Sequence, residues 1–530
     1  MVKIKEWFQK PMNAKPMTAL FAIWLAIAYV TTLLLIRPQD CDTFYMIQQG
    51  NDILKSGFPR TNEYLFFDDF NIIVQQWLYC VMLALVSNAL GLWGRILFAL
   101  AQGMILFWLI ERRISKYNKD KFWSCLFACI VCFALNLGYY TSTRPENITL
   151  ILLMLDCMIF DKYKETKKAY WLYLLPLITL AEINLHASMW PFHFCILLAN
   201  VCPPIFKKSS IDDHIRIFEI QPDNDRIKTN WHMLIAITLM AASLFLNPYG
   251  LDNITYVFKS MSTFKYIPIV EQQLVGILTS SGLYTITMLV IVAVAIKSKK
   301  LTGTTIYMNM GFLFLACTSY HSAMFLTIAG TYLACDLLKV LAEKSNNKKV
   351  ASYLPNGIWV IAMILTGYFV GFFIFAIQPA HLDKYIYDDG SLKAIADYIK
   401  AENPDRSPNV LNTNDAGSQL EYFGIRNLYA DSRPEMLSQK INGKADAMET
   451  FYMFAYGTPP ETFEPNTIQD FLDKYDIEYI VTFEENTMWI ALRTYVTATG
   501  QFTQVELEGV EKPKFALYER SKTWQTTANQ

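Results

Sequence analysis

The feature that most constrains this chain is a series of long apolar segments over residues 1–380. Many of them are long enough to cross the ~30 Å hydrocarbon core of a bilayer, and short polar loops separate them. Only 18% of the 530 residues are charged, against about a quarter in a soluble enzyme. The net charge of −1 gives no argument for a nucleic-acid partner. The sequence therefore predicts an α-helical polytopic membrane protein with about eleven spans.

The orientation of the predicted spans follows from the basic loops between them. The predicted spans are 17–36, 93–111, 122–139, 146–160, 170–184, 187–204, 231–247, 281–297, 303–318, 321–338 and 356–378. Lys and Arg are concentrated in the N-terminus and in every second loop, as at Arg112, Lys164 and Lys208. Because such loops stay in the cytoplasm, we expect the N-terminus inside and the intervening loops outside. Residues 73–90 are apolar but would break this alternation, so we interpret them as an interfacial helix.

A change in composition near residue 380 divides the predicted protein into two domains. Residues 1–380 form a transmembrane domain with a long first outer loop (37–92), and residues 381–530 form a soluble domain outside the cytoplasm. Charged residues are frequent in the second part, and its apolar runs are of strand length. Helix and strand patterns alternate there, including a helix at 391–402 and a strand at 409–413. This alternation predicts a small α/β domain with a largely parallel sheet.

Three polar residues of the soluble domain follow predicted strands. Asp415, Asp431 and Arg433 lie where loops leave the sheet, which is a usual place for ligands in such domains. Loop capping, in a domain that supports the bundle or docks an acceptor, explains them equally well. All ten cysteines lie before residue 381, so a disulfide framework is excluded for this domain.

The predicted outer loops hold most of the polar residues that look out of place in a membrane protein. Ionisable groups at the ends of spans are costly to dehydrate and usually line a cavity or pathway. Five loops place such groups on one membrane face, which predicts one extracytoplasmic site. The candidate residues are Asp40, Asp42, Gln75, Gln76, Trp77, Arg144, Glu146, Asn184, His186, Asn247, Tyr249, Glu271 and His321. Structural roles stay open: Asn247 before a proline can end a helix, and Arg144 can snorkel to the interface.

Two carboxylates, Asp40 and Asp42, directly follow the first predicted span. Such a pair can ligate one divalent metal ion, or one carboxylate can act as a general base while the other orients it. Residues 43–55 then have apolar side chains at approximately helical spacing, which predicts an amphipathic helix in the interface. An Asp-x-Asp pair alone is a weak signal, but its position before this helix makes it more specific.

An acidic motif in a long first outer loop resembles that of membrane glycosyltransferases of the GT-C fold. A closer resemblance is to a bacterial set of polytopic proteins with a C-terminal α/β domain. The motifs of this set fall in order at Asp40 to Met46, Gln75 to Leu78, Arg144-Pro145, Asn184 to His186 and Asn247 to Gly250.

The sequence departs from this set at two of the likeliest ligand positions. Met46 stands in place of a histidine, and Gln75-Gln76 stands in place of a His-Glu pair. Met and Gln are poor replacements for imidazole and carboxylate as ligands or bases. A different substrate, a site without metal and a reduced activity therefore all stay open.

The resemblance implies a transferase that takes a sugar from a polyprenyl-phosphate carrier and passes it to an acceptor hydroxyl at the outer face of the membrane. It implies Asp42 as the base or metal-orienting carboxylate, assisted by Asp40, with Mg²⁺ or Mn²⁺ as a candidate cofactor. Arg144 would pair with the lipid phosphate, for which a guanidinium is well suited. The sugar pocket would be lined by Trp77, Asn184, His186, Tyr249 and Glu271. The expected partners are the bilayer, a polyprenyl-phosphate-linked sugar and a glycan, lipid or protein acceptor.

Two other functions stay open. A transporter or flippase of a lipid-linked substrate would place its site near the bilayer midplane, on helices broken by Gly or Pro. Against it, the sequence shows no clear internal repeats and no charges in mid-span beyond Asp156, which we interpret as an isolated charge near the inner end of a span. We leave His193, which lies inside a span, out of the site. The second alternative is a non-catalytic assembly protein that kept the fold, which the missing His and Glu favour.

Overall fold

The structure is a computed structural model of the chain. The residues it describes are 41–67, 70–117, 124, 128, 131, 143–202, 215–220, 227–261, 286, 289–290, 292–293, 301–318, 321–344, 390–433, 442, 450, 453–455, 457, 467–483, 489–510 and 513–521. The chain divides into two compact units. The helical unit comprises Met1–Ile36, Arg95–Ile254 and Pro268–Ile377, and the sheet unit comprises Arg37–Gly94, Thr255–Ile267 and Gln378–Gln530.

The described part of the chain is mostly helical. Its helices are α1 (Cys41–Ser56), α2 (Trp77–Ile114), α3 (Glu146–Thr166), α4 (Leu175–Leu185), α5 (Trp190–Val201), α6 (Trp231–Ser243), α7 (Leu251–Met261), α8 (Gly303–Thr318), α9 (Leu326–Lys344), α10 (Ser391–Glu402), α11 (Asn414–Tyr422), α12 (Ile468–Lys474) and α13 (Ile490–Thr499). Short 3-10 helices cover Ala169–Leu174, Ala187–Met189 and His321–Phe325. The strands are β1 (Phe218–Ile220), β2 (Ile227–Thr229), β3 (Asn409–Asn412), β4 (Ile477–Phe483), β5 (Phe502–Val505) and β6 (Phe515–Arg520).

Local signals explain where several helices of the helical unit begin and end. α3 begins after Pro145, and Glu146 lies in its first turn, where a negative charge is favourable beside the helix dipole. The side chain of Asn230 caps α6 by accepting a hydrogen bond from Met233 N at 3.2 Å. Between α4 and α5 the chain breaks at His186, whose φ of −159° and ψ of 73° are not helical.

Several predicted spans coincide with described helices. Those that overlap α3 to α6, α8 and α9 are 146–160, 170–184, 187–204, 231–247, 303–318 and 321–338. Within the described residues, α2 is the one helix that is long and apolar enough to cross a membrane. The spans predicted at 17–36 and 356–378 lie outside the described residues, as do most residues of those at 122–139 and 281–297. A count of about eleven spans therefore stays a prediction.

α2 contains a sharp irregularity at Gly91. The φ of 57° and ψ of −136° at this residue are not helical, and the positive φ suits a residue without Cβ. Gly91 separates an apolar helix before it from an apolar helix after it. The sequence analysis drew the same separation between the segments 73–90 and 93–111. The interfacial position of the first segment stays a prediction.

The sheet unit contains a mixed four-stranded sheet in the order β3-β4-β6-β5. β3 and β4 are parallel, whereas β6 is antiparallel to both of its neighbours. The helix predicted at 391–402 and the strand predicted at 409–413 are confirmed. The prediction of a largely parallel sheet is wrong on the β6 side. The connection between β5 and β6 is short, comprising residues 506–514, so the two strands return as an antiparallel pair.

The first outer loop adds to the open side of this sheet. Leu428 forms parallel bridges both to Val410 of β3 and to Leu65 of the loop. Phe66 N donates to Leu428 O at 3.0 Å, and Leu428 N donates to Tyr64 O at 2.8 Å. From the sequence, this loop was predicted to belong to the domain of residues 1–380. In the structure it belongs to the same compact unit as the C-terminal sheet.

Candidate functional site

The predicted carboxylate Asp42 lies in the first turn of α1, within the sheet unit. It is half-buried, and a negative charge in the first turn is favoured by the helix dipole. α1 confirms the helix predicted at 43–55. Asp40, the other predicted carboxylate, lies outside the described residues.

A partly buried set of polar side chains holds α1 in place. Tyr64 Oη donates to Asp52 Oδ2 at 2.6 Å, and Gln48 Nε2 donates to Asp52 Oδ1 at 3.1 Å. The guanidinium carbon of Arg426 lies 3.9 Å from the centroid of the Tyr64 ring. Burial and the neighbouring Asp52 carboxylate raise the pKa of Tyr64 above its usual range, so its hydroxyl keeps the proton that it donates. The helix that carries Asp42 is therefore fixed at its other end.

The predicted segment Gln75 to Trp77 packs beside α1. Gln76 is buried, and its Nε2 donates to Tyr45 Oη at 2.9 Å. Trp77 begins α2, and its ring centroid lies 5.1 Å from that of Phe58. Gln75 is half-buried. These side chains support the position of α1.

α1 and α2 approach one another closely at Gly50. A Cβ at this position would lie 2.1 Å from the carbonyl oxygen of Cys80, so only glycine fits. Met46, at the position where the resembling proteins carry histidine, is 1% exposed. The thioether of Met46 therefore lies in a packed interior rather than on a surface that meets solvent.

The described residues do not fit a metal site. They contain no group of three or more His, Cys, Asp or Glu side chains that is arranged to hold a metal ion. Of the predicted metal pair, Asp42 alone is described, and Met46, one turn further along α1, is a poor ligand. We therefore derive no chemical step through a metal.

Several candidate residues lie at the ends of helices in the helical unit. Arg144 is half-buried, and Glu146 is buried two residues later. Asn184 Nδ2 donates to two backbone carbonyls, Leu180 O at 2.9 Å and Leu246 O at 3.0 Å. Asn184 therefore joins the end of α4 to the loop after α6.

The Asn-Pro-Tyr-Gly segment after α6 forms a closed turn. Asn247 Nδ2 donates to Leu244 O at 2.7 Å and to Gly250 O at 3.2 Å, and its Oδ1 accepts from Tyr249 N at 2.9 Å. The amide of Asn247 therefore organises the turn, and Tyr249 is buried within it. Glu271 and the side chain of His321 lie outside the described residues.

Five buried side chains of the helical unit form one hydrogen-bonded chain, which we call the relay. His193 Nδ1 lies 2.5 Å from Asp156 Oδ2, and His193 Nε2 lies 3.1 Å from Glu182 Oε2. Thr149 Oγ1 donates to Glu182 Oε1 at 2.6 Å and lies 2.9 Å from His186 Nδ1. His186 is 4% exposed, and the other four are fully buried.

The relay corrects two interpretations made from the sequence. Asp156 is not isolated, and His193, which the sequence analysis left out, joins it to Glu182. A signal was present in the spacing, because Thr149 and Asp156 are seven residues apart on α3 and so share one face. The spacing does not reveal which helices that face meets. We call Asp156, His193 and Glu182 together the His193 cluster.

A second buried cluster lies in the sheet unit and is formed by Glu421, Asp431 and Arg433, which we call the Arg433 cluster. Arg433 Nη2 donates to Glu421 Oε1 at 3.0 Å and also to the carboxylate of Asp431. All three side chains are at most 3% exposed. Asp431 and Arg433 were singled out from the sequence and do lie together, whereas Asp415 is exposed in the first turn of α11.

The two carboxyls of the Arg433 cluster have opposite pKa shifts. Burial raises the pKa of Glu421 well above its usual range, and the nearby Asp431 charge adds to this effect against the attraction of Arg433. Burial also disfavours the charge of Asp431, but the Arg433 guanidinium and its hydrogen bonds lower the pKa of that carboxyl. The stable form is thus an Asp431–Arg433 ion pair beside a protonated Glu421.

Comparisons with known proteins find similarity at the level of fold. No protein-family model and no curated protein matches the sequence. One similar solved structure is the archaeal oligosaccharyltransferase AglB from Archaeoglobus fulgidus in complex with an inhibitory peptide and a dolichol-phosphate. It is 10% identical to this chain, with a TM-score of 0.55 over 96% of this chain and 75% of that chain.

Two further structures of the Archaeoglobus fulgidus oligosaccharyltransferase are similar. One, tethered through a disulfide bond to an acceptor peptide with the NVT sequon, is 10% identical, with a TM-score of 0.56 over 96% and 74% of the two chains. The other, a complex with Zn and sulfate, is 11% identical, with a TM-score of 0.54 over 95% and 73%. The chain therefore has the GT-C fold, as its resemblance implied.

Proposed function

We propose that this protein is a membrane glycosyltransferase that moves a sugar from a polyprenyl-phosphate-linked donor to an acceptor hydroxyl at the extracytoplasmic face. The observation that carries this proposal is the GT-C fold shared with AglB over 96% of the chain. The solved structures of that fold hold a dolichol-phosphate or an acceptor peptide, which supports a lipid-linked donor and a separate acceptor here.

Asp42 is the proposed general base. The acceptor oxygen attacks the anomeric carbon of the sugar, and the bond from that carbon to the phosphate oxygen breaks. The acceptor proton passes to the Asp42 carboxylate, and the polyprenyl phosphate leaves with the bonding electron pair. Half-burial in the first turn of a helix that is held by packing at Gly50 suits a base that must keep one position.

Arg144 is the proposed partner of the donor phosphate, since a guanidinium matches phosphate with two parallel hydrogen bonds. A Zn and sulfate complex is known for a similar structure. Because the described residues of this chain do not form a metal site, we assign the proposed steps to side chains alone. A requirement for a divalent cation such as Mg²⁺ or Mn²⁺ is tested by measuring activity after a chelator is added and after each ion is restored in turn.

The decisive experiment uses the full-length protein in lipid nanodiscs with synthetic polyprenyl-phosphate-linked hexoses, and it measures the release of polyprenyl phosphate. Asp42→Asn keeps the shape of the side chain but cannot accept the proton, so we expect a fall in kcat of roughly 10²–10⁴-fold with donor binding retained. Arg144→Ala should raise KM before it lowers kcat, because the phosphate is bound in both the ground and transition states.

The matched control is Asp397→Asn, an exposed carboxylate on α10 that pairs with Lys393 at 2.7 Å. It should behave as wild type. Full activity of Asp42→Asn would remove the carboxylate from the mechanism. A wild-type protein that binds none of the donors would instead favour the assembly-protein alternative.

The proposed topology has a cytoplasmic N-terminus and an extracytoplasmic domain after residue 381. Single cysteines at position 208 and at the exposed position 415 test it on a cysteine-free background. A membrane-impermeant maleimide added to intact cells should label position 415 and spare position 208. The reverse pattern would overturn the topology.

A transporter or flippase is the second candidate, because the His193 cluster places ionisable groups inside predicted spans. The two functions differ in their product. A transporter moves the intact lipid-linked sugar across a vesicle membrane, whereas a transferase releases polyprenyl phosphate only when an acceptor is present.

A further inference from the structure

The relay crosses three helices without interruption. Thr149 and Asp156 lie on α3, Glu182 on α4 and His193 on α5, and His186 ends α4. The seven residues from Thr149 to Asp156 correspond to about two turns, or roughly 10 Å along α3. The relay therefore connects the helix break at His186 with the interior of the helical unit.

Counting hydrogens shows that the His193 cluster holds an extra proton. Both nitrogens of His193 face carboxylate oxygens, at 2.5 and 3.1 Å. A neutral imidazole has one N–H, and an ionised carboxylate has none, so one of these two hydrogen bonds would lack a hydrogen. The cluster is therefore an imidazolium between two carboxylates or its equivalent with the proton moved to a carboxyl. Its net charge is −1 in either form.

The same counting assigns the tautomer of His186. The hydroxyl of Thr149 has one hydrogen, and Glu182 Oε1 accepts it at 2.6 Å. Thr149 Oγ1 must therefore accept from His186 Nδ1, which lies 2.9 Å away. Neutral His186 thus carries its hydrogen on Nδ1, and its Nε2 is the nitrogen that takes up a further proton.

We propose that the relay is a proton-binding site that takes up one proton at His186 Nε2 and holds it on Glu182. A proton from water binds Nε2, the Nδ1 hydrogen moves to Thr149 Oγ1, and the Thr149 hydrogen moves to Glu182 Oε1. After these moves Thr149 Oγ1 donates to His186 Nδ1 and accepts from the protonated Glu182 Oε1, so both hydrogen bonds of Thr149 are kept. His186 returns to the neutral form as its other tautomer, and Glu182 becomes a neutral acid.

The burial of the His193 cluster drives this uptake. A net charge of −1 inside a packed helical unit is costly, and one proton makes the cluster neutral. Asp156 Oδ1 is buried and has no hydrogen-bond partner among the described residues, so the carboxylate charge is incompletely compensated. The His193 cluster therefore gains a proton more readily than it loses one.

The other charged groups of the helical unit are paired elsewhere. Arg113 donates to Asp161 at 2.8 Å, beyond the far end of the relay, and Asp336 accepts from Lys339 at 2.9 Å. α8 contributes no Asp, Glu, Lys, Arg or His. The remaining titratable side chains described on α3, α5, α6, α8 and α9 are Glu146, Cys157, Lys162, Tyr163, Lys164, Glu165, Cys195, His232, Tyr307, Cys317, Tyr332 and Cys335. Among the described residues, no Lys or Arg forms an ion pair with the His193 cluster, so a proton is the ion that can neutralise its charge.

Infrared spectroscopy of the full-length protein in nanodiscs tests the proton uptake. No sugar donor or acceptor is needed, so the result does not depend on whether the protein is a transferase. Lowering the pH from about 8 to about 5 should produce the C=O band of a protonated carboxyl in a non-aqueous setting. Glu182→Gln should remove that band. Thr149→Val should shift its frequency, because it removes the hydrogen bond to Glu182, and this second assignment holds even if Glu182→Gln does not fold.

Nuclear magnetic resonance of ring-labelled histidine tests the link to His186. The wild type should show His186 with its hydrogen on Nδ1 at high pH, and Thr149→Val should lose this preference while Thr149→Ser keeps it. Thr179→Val is the matched control, since Thr179 is a buried threonine of α4 that bonds only to Leu175 O, at 3.1 Å. A carboxyl band that survives Glu182→Gln, or wild-type His186 with its hydrogen on Nε2 at high pH, would overturn the proposal.

Discussion

The two units each bury two carboxyl groups beside one basic side chain, and that basic side chain differs between them. The Arg433 cluster of the sheet unit and the His193 cluster of the helical unit each contain two carboxyl groups and one nitrogen cation. A guanidinium stays charged at every accessible pH, whereas an imidazolium can release its proton. The identity of one residue therefore decides whether a buried cluster serves as a fixed structural tie or as a site that exchanges protons.

The Arg433 cluster acts as such a tie. Asp431 keeps its charge because the Arg433 guanidinium faces it in spite of burial, and the raised pKa of Glu421 leaves that carboxyl protonated. Arg433 thereby joins the end of α11 to the chain that follows Leu428. Phe44 of the first loop packs on Tyr422 of α11, with ring centroids 5.2 Å apart, so the tie also supports the helix that carries Asp42.

The largest expected effect is on the tie. Arg433→Met leaves the Asp431 carboxylate buried without its cation, so we expect a loss of about 3–5 kcal/mol in the stability of the sheet unit. Hydrogen exchange measured by mass spectrometry on peptides from β4 and α11 of the full-length protein reports this loss. Arg406→Met is the control, because Arg406 pairs with Glu478 at the surface and such pairs contribute roughly 0–1 kcal/mol. Equal effects of the two variants would contradict the comparison.

A smaller and more pH-dependent effect is expected in the helical unit. His193→Leu leaves two buried carboxylates together, at an expected cost of about 2–4 kcal/mol near neutral pH. The cost should shrink as the pH falls, because each carboxylate can take up a proton. Hydrogen exchange of peptides from α3 and α5, measured at two pH values, reports this loss of stability. His232→Leu, at an exposed histidine that bonds to Tyr173 at 2.7 Å, is the matched control. A cost that is independent of pH would break the distinction between the two clusters.

The smallest effect concerns the proton on Glu421. Because its folded-state pKa is raised, the folded protein keeps a proton that the unfolded chain releases above about pH 4.3. Stability therefore falls as the pH rises from that value through the folded-state pKa, and Glu421→Gln should remove this part of the slope. Near pH 5 the stability of Glu421→Gln should differ from that of the wild type by less than about 1 kcal/mol, since Gln mimics the protonated acid.

Pulse proteolysis in urea, at several pH values, measures the slope for the full-length protein. Glu402→Gln, at an exposed position of α10, should keep the wild-type slope. A Glu421→Gln variant that is as pH-dependent as the wild type would place the proton on another group.

Much of the local structure could be predicted from the sequence. The helix at 391–402, the helix at 303–318 and the break before His186 follow from hydrophobic periodicity and from helix-ending residues. The GT-C fold followed from motifs in order along the chain. Asp431 and Arg433 were found because the ends of strands are places where polar side chains gather.

Only the tertiary structure decided which of these elements meet. His193 and Asp156 are 37 residues apart, and Leu65 pairs with Leu428 across most of the chain. Hydropathy and backbone preferences act over a few residues, so the sequence determined the helices, the strands and their apolar faces. A buried polar group must be satisfied by whatever side chain the neighbouring element brings to it. That partner depends on how helices and loops pack, and packing placed the relay inside the helical unit and the first loop on the edge of the sheet.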